Sequence, residues 1–502
     1  MTRRAAREAA APAPRRKAPK PPQDAVDEEG GTPRGIGATF AKHRTAWLAG
    51  AAAVAFVLLG TGAVFAGVSV GSTAAPLPSA TPTPDPPRPV PEGELVASRL
   101  RTCSVAGPMA DPRLMTFMGQ VVRYDDGEVL LDRGASTPAR TASVLKILTA
   151  AAAVATLGPD FQITTSVYSG SAPGSIVLVG RGDATLSRLP AGQESVYKGA
   201  PKLDDLAAQT LANLPDDAEI TSIVLDASYW AAADRWDPSW ARSEQTQGYH
   251  SEVTALQVDG DRANPTRQDS PRGTDPIRTA GDYFLAALRA LDTEGVVADD
   301  VAFSTGTAIG GAAQLAEVKS QPLSALVRYM LLVSDNTLAE MLARITSKQG
   351  ALNGSAASLQ QAIPSALSTF GIPATGLTIK DGSGLSHLNA VPPATVNQLL
   401  REMVRGAPNL DVVAAGLPVA GQSGTLAGRF AGANAAARGV VAAKTGWIDT
   451  AYTLAGTVTA HDGTVLLFTF YAIGDGIQGN AREALDTLTT AVYHCGDNLS
   501  NN

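Results

Sequence analysis

Ser143 and Lys146 open the run TASVLKILTAAAAVATLG, and the i, i+3 spacing puts a hydroxyl and an amine on one helical face about a turn apart. A lysine kept neutral there can take the serine proton and make the hydroxyl a nucleophile. The positive end of the helix favours that neutral form by disfavouring a second positive charge. Two further motifs follow in chain order. Ser334-Asp335-Asn336 lies between the amphipathic runs LSALVRYMLLV and TLAEMLARI, a junction able to push polar side chains into a cleft. Lys444-Thr445-Gly446 ends the apolar strand GVVAA, where a sheet edge could align an extended peptide.

Each motif alone fits a plainer reading, such as a helix with a solvated lysine, an N-cap, or a strand ending in a turn. The ordered trio on three suitable elements arises by chance on the order of one time in a hundred or less. Other matches fall away in context. Ser195-Val196-Tyr197-Lys198 repeats the SxxK spacing with no apolar helix behind it, and Ser500-Asn501-Asn502 sits on the chain end. Arg181-Gly182-Asp183 is expected to shape a loop, and His387 to be a surface-loop histidine rather than a base. Neither GQSGT nor DGSGL satisfies the GxSxG nucleophile elbow. Five histidines and two cysteines give a metal mechanism few ligands to draw on. The first 44 residues carry ten Lys or Arg against five Asp or Glu, a net +5, so the remainder of a chain of net charge −7 carries −12. Such an acidic body argues against nucleic acid as a partner.

The elements that must position these groups can be read from periodicity. In MGQVVRYDDGEVLLD two alternating runs flank Asp126-Gly127 as a hairpin. At the other end GVVAAKT, YTLAGTVT and TVLLFTFYA form a meander turning at His461-Asp462-Gly463, followed by a helix with Ala481, Ala484, Leu485, Leu488 and Val492 on one face. The two ends of the globular region are expected to be halves of one antiparallel sheet flanked by helices. Between them, QITTSVYS, SIVLVG and ITSIVLD alternate with KLDDLAAQTLANL and GDYFLAALRAL, which predicts a separately folding α+β insert.

The three motifs are the signature set of the penicillin-interacting serine enzymes. The long stretch between Ser143 and Ser334, with LLDRGAS, VGRGDATLS, IVLDASYW, DGSGLS at Asp381–Ser386 and LPVAGQSGTLAGRF, resembles the D-Ala-D-Ala carboxypeptidase/endopeptidase family, the class C low-molecular-mass penicillin-binding proteins. The resemblance spans roughly residues 95–495. It implies an α/β peptidase domain from residues 93–165 and 313–497, interrupted by an inserted domain at 166–312. It also implies that Ser143 attacks the carbonyl of the penultimate D-alanine of peptidoglycan peptides, with Lys146 as base. Ser334 and Asn336 would relay protons and hold the substrate amide, and Lys444 would supply positive potential. Asp335, Thr445, Gly446 and Trp447 would complete the substrate-binding set, with the N–H groups of Ser143 and Trp447 as oxyanion hole. Trp447 departs from the hydroxyl residue common after KTG in this family. No cofactor or metal is implied, and β-lactam antibiotics would act as covalent inhibitors. A β-lactamase, or a catalytically idle wall-binding protein of the same fold, are the alternatives.

Ahead of the globular region, residues 1–44 read as a disordered basic cytoplasmic tail. The uncharged stretch Trp47–Val70, within an anchor at 45–70, is long enough for one transmembrane helix, although the small residues STAA after it leave cleavage open. Residues 71–92 read as an extended Pro-rich linker. The positive-inside rule then puts the catalytic region outside a bacterial cell membrane. In that oxidising compartment Cys103 and Cys495 are expected to form a disulfide, brought together by the packing of terminal helices Glu94–Arg101 and Asn480–His494.

Overall fold

The alternating runs at the two ends of the globular region close into one five-stranded antiparallel sheet. The computed structural model describes residues 100–501; the predicted tail, membrane span and Pro-rich linker lie outside the described residues. Strands β1 (Thr116–Arg123) and β2 (Val129–Arg133) form the hairpin, and β8 (Val441–Ile448), β9 (Ala451–Thr459) and β10 (Val465–Ile473) the meander. The order is β2-β1-β10-β9-β8, and β1 pairs with β10 from Thr116↔Ile473 to Arg123↔Leu466. First and last strands thus meet, as the alternation predicted. Seven consecutive residues of β10 are buried, the mark of a strand covered on both faces.

The two covering layers have distinct makings. Helix α1 (Leu145–Leu157) buries ten residues in a row, including Ala150, Ala151, Ala152 and Ala153. A helix apolar on every side is a core helix, and its small side chains let α4 (Leu323–Val333) and α5 (Asn336–Gln349) pack around it. On the opposite face lies α6 (Ala481–Cys495), whose Ala481, Ala484, Leu485, Leu488 and Val492 are all buried.

Cys103 and Cys495 form a disulfide with a Cα–Cα distance of 5.4 Å, closing 392 residues of sequence. Leu100 and Arg101 are not helical, and the rest of the predicted helix Glu94–Arg101 lies outside the described residues. The segment runs instead as a single parallel bridge beside Leu499: Cys103 N–H donates to Asn498 O (3.1 Å) and Ser500 N–H to Cys103 O (2.8 Å). Backbone groups here find partners across the chain ends rather than along a helix.

A second five-stranded sheet, of order β6-β5-β4-β3-β7, lies between α1 and α4 in sequence. Its strands are β3 (Thr164–Ser169), β4 (Ser175–Val179), β5 (Ile220–Asp226), β6 (Val297–Thr305) and β7 (Gln314–Lys319). Helices α2 (Leu203–Ala212) and α3 (Pro276–Leu291) cover it and share its own apolar core. The sheet takes in Gln314–Lys319, which sequence reading placed after the insert. QLAEVK is short and leads into an amphipathic helix, so its edge pairing with β3 leaves little local signal. The inserted region is also not a free-standing body. Tyr197, Trp230, Trp240 and Val253 are buried in the core built around α1.

Candidate active site

Ser143 sits in the single 3-10 turn that leads into α1, and Lys146 follows one turn later. The turn begins with Ala142 at φ +43°, a left-handed backbone that non-glycine residues seldom adopt. Gly384, itself at φ +82°, lies against it, and a Cβ there would overlap the Ala142 carbonyl and stand 3.1 Å from Ser143 N. Lys146 is fully buried. Its Nζ lies 2.9 Å from Ser143 Oγ, 2.7 Å from Asn336 Oδ1 and 2.7 Å from the carbonyl oxygen of Ser383. Burial pushes this amine down to about 8, against the opposing pull of the Asp381 and Glu340 carboxylates. The neutralising influence is therefore chiefly desolvation, where the sequence pointed to the helix end.

Ser334 terminates α4 in a left-handed conformation, φ +63°. Asp335 then caps α5 by accepting the N–H of Leu338 at 2.9 Å. The junction sends alternate side chains opposite ways. Ser334 Oγ accepts from Lys444 Nζ (2.9 Å), and Asn336 faces Lys146. The Asp335 carboxylate turns inward, where it meets Arg262 Nη2 (2.8 Å) and the Tyr197 hydroxyl (3.0 Å). Asp335, expected among the substrate contacts, lines the cleft, and its carboxylate is engaged in a buried ion pair and a helix cap.

Lys444, Thr445, Gly446 and Trp447 lie within β8, the edge strand of the first sheet, rather than at its end. Lys444 Nζ also donates to Thr445 O at 2.8 Å. Burial, then the nearby Lys146 charge, hold Lys444 well below the ordinary lysine range. The strand's hydrogen-bond directions can be counted off. Val440 O accepts from Thr459 N in the direction of β9, whereas Ala443 N–H donates to Pro418 O and Val441 O accepts from Ala420 N on the other side. Alternation then turns the N–H groups of Thr445 and Trp447 away from β9. Gly446 leaves room for the nucleophile turn, since a Cβ there would come 2.9 Å from Ser143 N. The Thr445 hydroxyl pairs with Thr425 Oγ1 at 2.8 Å, and the Trp447 side chain is half exposed.

These groups open on a cleft of about 750 Å³ lined by Ser143, Ser334, Asn336, Thr445, Gly446 and Trp447, and also by Glu244 and Tyr249 of the inserted region. His387 is exposed on its lining. Residues that sequence reasoning missed hold the site from behind. Glu340, one turn into α5, accepts from Gly382 N and Ser383 N (2.7–3.1 Å) and so carries the Ser383 carbonyl to Lys146. Asp381 accepts from Gly384 N, Ser386 N, Asn389 Nδ2 and Trp240 Nε1. Burial raises both carboxyls, and the Asp381 charge adds to the rise at Glu340. The DGSGLS run, an acid followed by small residues, was the available signal. In the second SxxK match, Ser195 Oγ bonds only to the Tyr197 backbone, accepting from its N–H at 3.1 Å and donating to its carbonyl at 3.3 Å, and Lys198 is exposed. The Asp183 carboxylate is likewise buried on Thr185.

Three comparisons bear on this geometry. The family described as "D-Ala-D-Ala carboxypeptidase 3 (S13) family" matches residues 102–288 and 274–492. The chain is 34% identical over 397 residues to the carboxypeptidase DacB of Mycolicibacterium smegmatis, covering 78% of this chain and 84% of that one. It is 29% identical over 452 residues to a D-alanyl-D-alanine carboxypeptidase of an Actinomadura species, covering 74% and 80%. The fold is shared with penicillin binding protein 4 (dacB) from Haemophilus influenzae, with a TM-score of 0.62, 22% identity, and coverage of 75% of this chain and 95% of that one.

Proposed function

Because the chain belongs to the D-Ala-D-Ala carboxypeptidase 3 (S13) family, a family of serine peptidases, we propose that Ser143 is the residue its substrates acylate. The protein is a serine D-Ala-D-Ala carboxypeptidase, and its chemistry follows from one observation above all: buried Lys146 stands 2.9 Å from Ser143 Oγ. With a pKa near 8, about a tenth of Lys146 is neutral at pH 7. That fraction can accept the Ser143 proton as Oγ attacks the carbonyl of the penultimate D-alanine. Asn336 Oδ1 steadies the amine. The N–H groups of Ser143 and Trp447 receive the developing oxyanion, a backbone role that is unaffected by an indole standing where the family commonly has a hydroxyl side chain. Lys444 hands a proton through Ser334 to the departing amine, an arrangement their 2.9 Å contact supports. Water then hydrolyses the acyl-serine.

A complex of the Haemophilus influenzae protein with a β-lactam shares this fold, and we extend such binding to covalent acylation of Ser143 by penicillins. Peptidoglycan stem peptides are the substrate, reached by a catalytic region held outside the membrane by the span Trp47–Val70. The uncharged length of that segment and the Cys103–Cys495 disulfide support this placement.

Incubating the full chain with a labelled penicillin is expected to give a slowly hydrolysed adduct that Ser143→Ala abolishes. An adduct surviving that substitution would place the nucleophile elsewhere, and turnover near the enzymatic median of ~10 per second would make the protein a β-lactamase.

A further inference from the structure

Behind the cleft lies a buried cation that is neither lysine. Arg262 comes from the inserted region and its side chain is completely buried. It meets the middle residue of the Ser334-Asp335-Asn336 motif: Nη2 donates to Asp335 Oδ2 at 2.8 Å, and Nη1 donates to the Tyr197 hydroxyl at 2.8 Å. That hydroxyl donates in turn to the same Asp335 oxygen at 3.0 Å. The guanidinium also stacks on the Tyr197 ring, 4.8 Å from its centroid. Nε donates to Gln268 O at 3.2 Å.

The backbone that delivers Arg262 is unusual. Asp259, Gly260 and Asp261 run consecutively at φ +52°, +57° and +58°. Left-handed non-glycine residues persist only where their surroundings over-determine them. Here Arg188 pairs with Asp259 at 3.1 Å, and Arg272 donates to the carbonyls of Gly260, Gly248 and Ser270. The inserted region reaches the motif at a second point, as Asn336 Nδ2 donates to Tyr249 O at 3.3 Å. On the motif side, Ser334 is itself left-handed. Its hydroxyl and the Asn336 amide leave the main chain on either side of the residue that Arg262 grips.

We propose that Arg262, with Tyr197, is a positioning residue of the acylation reaction: through Asp335 it fixes where Ser334 Oγ and Asn336 Oδ1 stand against Lys444 and Lys146. The inserted region thereby completes the catalytic constellation. A planar fork is the group suited to this, because it can hold a carboxylate oxygen and a phenol at once. Arg262 touches no substrate in this arrangement and acts only through the motif.

The proposal rests on acylation at Ser143, so the test follows a fluorescent penicillin reacting with the full chain. It resolves the limiting acylation rate from the apparent affinity and records the melting temperature. Tyr197→Phe keeps the ring and removes only the bridging hydroxyl. Its limiting rate is expected to fall about tenfold, with affinity unchanged within about twofold and melting little altered. The pair Arg262→Met with Asp335→Asn removes both buried charges and keeps an acceptor for the α5 cap. It is expected to lose about tenfold to a hundredfold, and Arg262→Lys in the wild-type background to fall between. A folded Tyr197→Phe enzyme with the wild-type limiting rate, or one in which only affinity changes, overturns the proposal, whether or not the double variant folds. Wild-type protein that takes up no label at Ser143 would be a different failure, removing the reaction itself and the positioning role with it.

Discussion

Two left-handed glycines allow the crowding behind Ser143 to be weighed against a matched control. Gly384 (φ +82°) and Gly406 (φ +78°) ask the same conformation of an alanine, but nothing lies within 4 Å of a Cβ at Gly406. Gly406→Ala therefore incurs only the left-handed penalty, roughly 1–2 kcal/mol. At Gly384 the methyl would also overlap the Ala142 oxygen and sit 2.5 Å from its carbonyl carbon. Reaching even 3.0 Å from that carbon requires a shift of 0.5 Å (3.0 less 2.5), and the oxygen must move further. The neighbouring peptide carries Ser143 N, and displacements of about 0.5 Å already loosen a catalytic constellation. Gly384→Ala is expected to cost a further ~1–3 kcal/mol by overpacking, and to slow acylation by penicillin about tenfold to a hundredfold. Denaturant midpoints and acylation rates of the two variants, taken side by side, separate the shared penalty from the clash. If Gly384→Ala matches Gly406→Ala in stability and acylates within about threefold of wild type, the packing reasoning is wrong.

Acylation should rise with pH through the Lys146 pKa of about 8, because the neutral amine is the competent form; a rate falling between pH 7 and 9 would contradict that role. Removing the Cys103–Cys495 bond by Cys103→Ser frees a 392-residue loop. The entropic estimate is roughly 6 kcal/mol, so a clearly lowered unfolding midpoint is expected, with unreduced wild-type protein resisting alkylation. Trp447→Ala retains the backbone N–H and should acylate within about fivefold of wild type; a hundredfold loss would show that the indole does more than line the cleft.

The features legible in the sequence are the local ones. Ser143 and Lys146 are a turn apart, the β1–β2 hairpin is declared by Asp126-Gly127, and the apolar stripe of α6 repeats at helical spacing. Contacts across long separations left no periodic trace. Arg262 and Asp335 are 73 residues apart, and Lys146 meets the Ser383 carbonyl across 237. Asp335, expected among the substrate contacts, does line the cleft, but its ion pair with Arg262 has no local signal, because successive residues at a helix start point different ways. The pairing of Cys103 with Leu499 is likewise a long-range contact, made by backbone groups that no local pattern marks.

The edge strand β8 sets a limit on self-association. Its first half is sheathed, since Pro418 and Ala420 take up the outward groups of Ala443 and Val441. Only the stretch from Thr445 to Trp447 is left to pair with an incoming chain, and β8 turns into β9 after Ile448. Exposed sheet edges invite other copies to add strands and grow into fibrils. A template two to three residues long is enough to register the end of a peptide and too short to seed a polymer. The bulky half-exposed Trp447 further breaks the flat surface that a neighbouring copy would need.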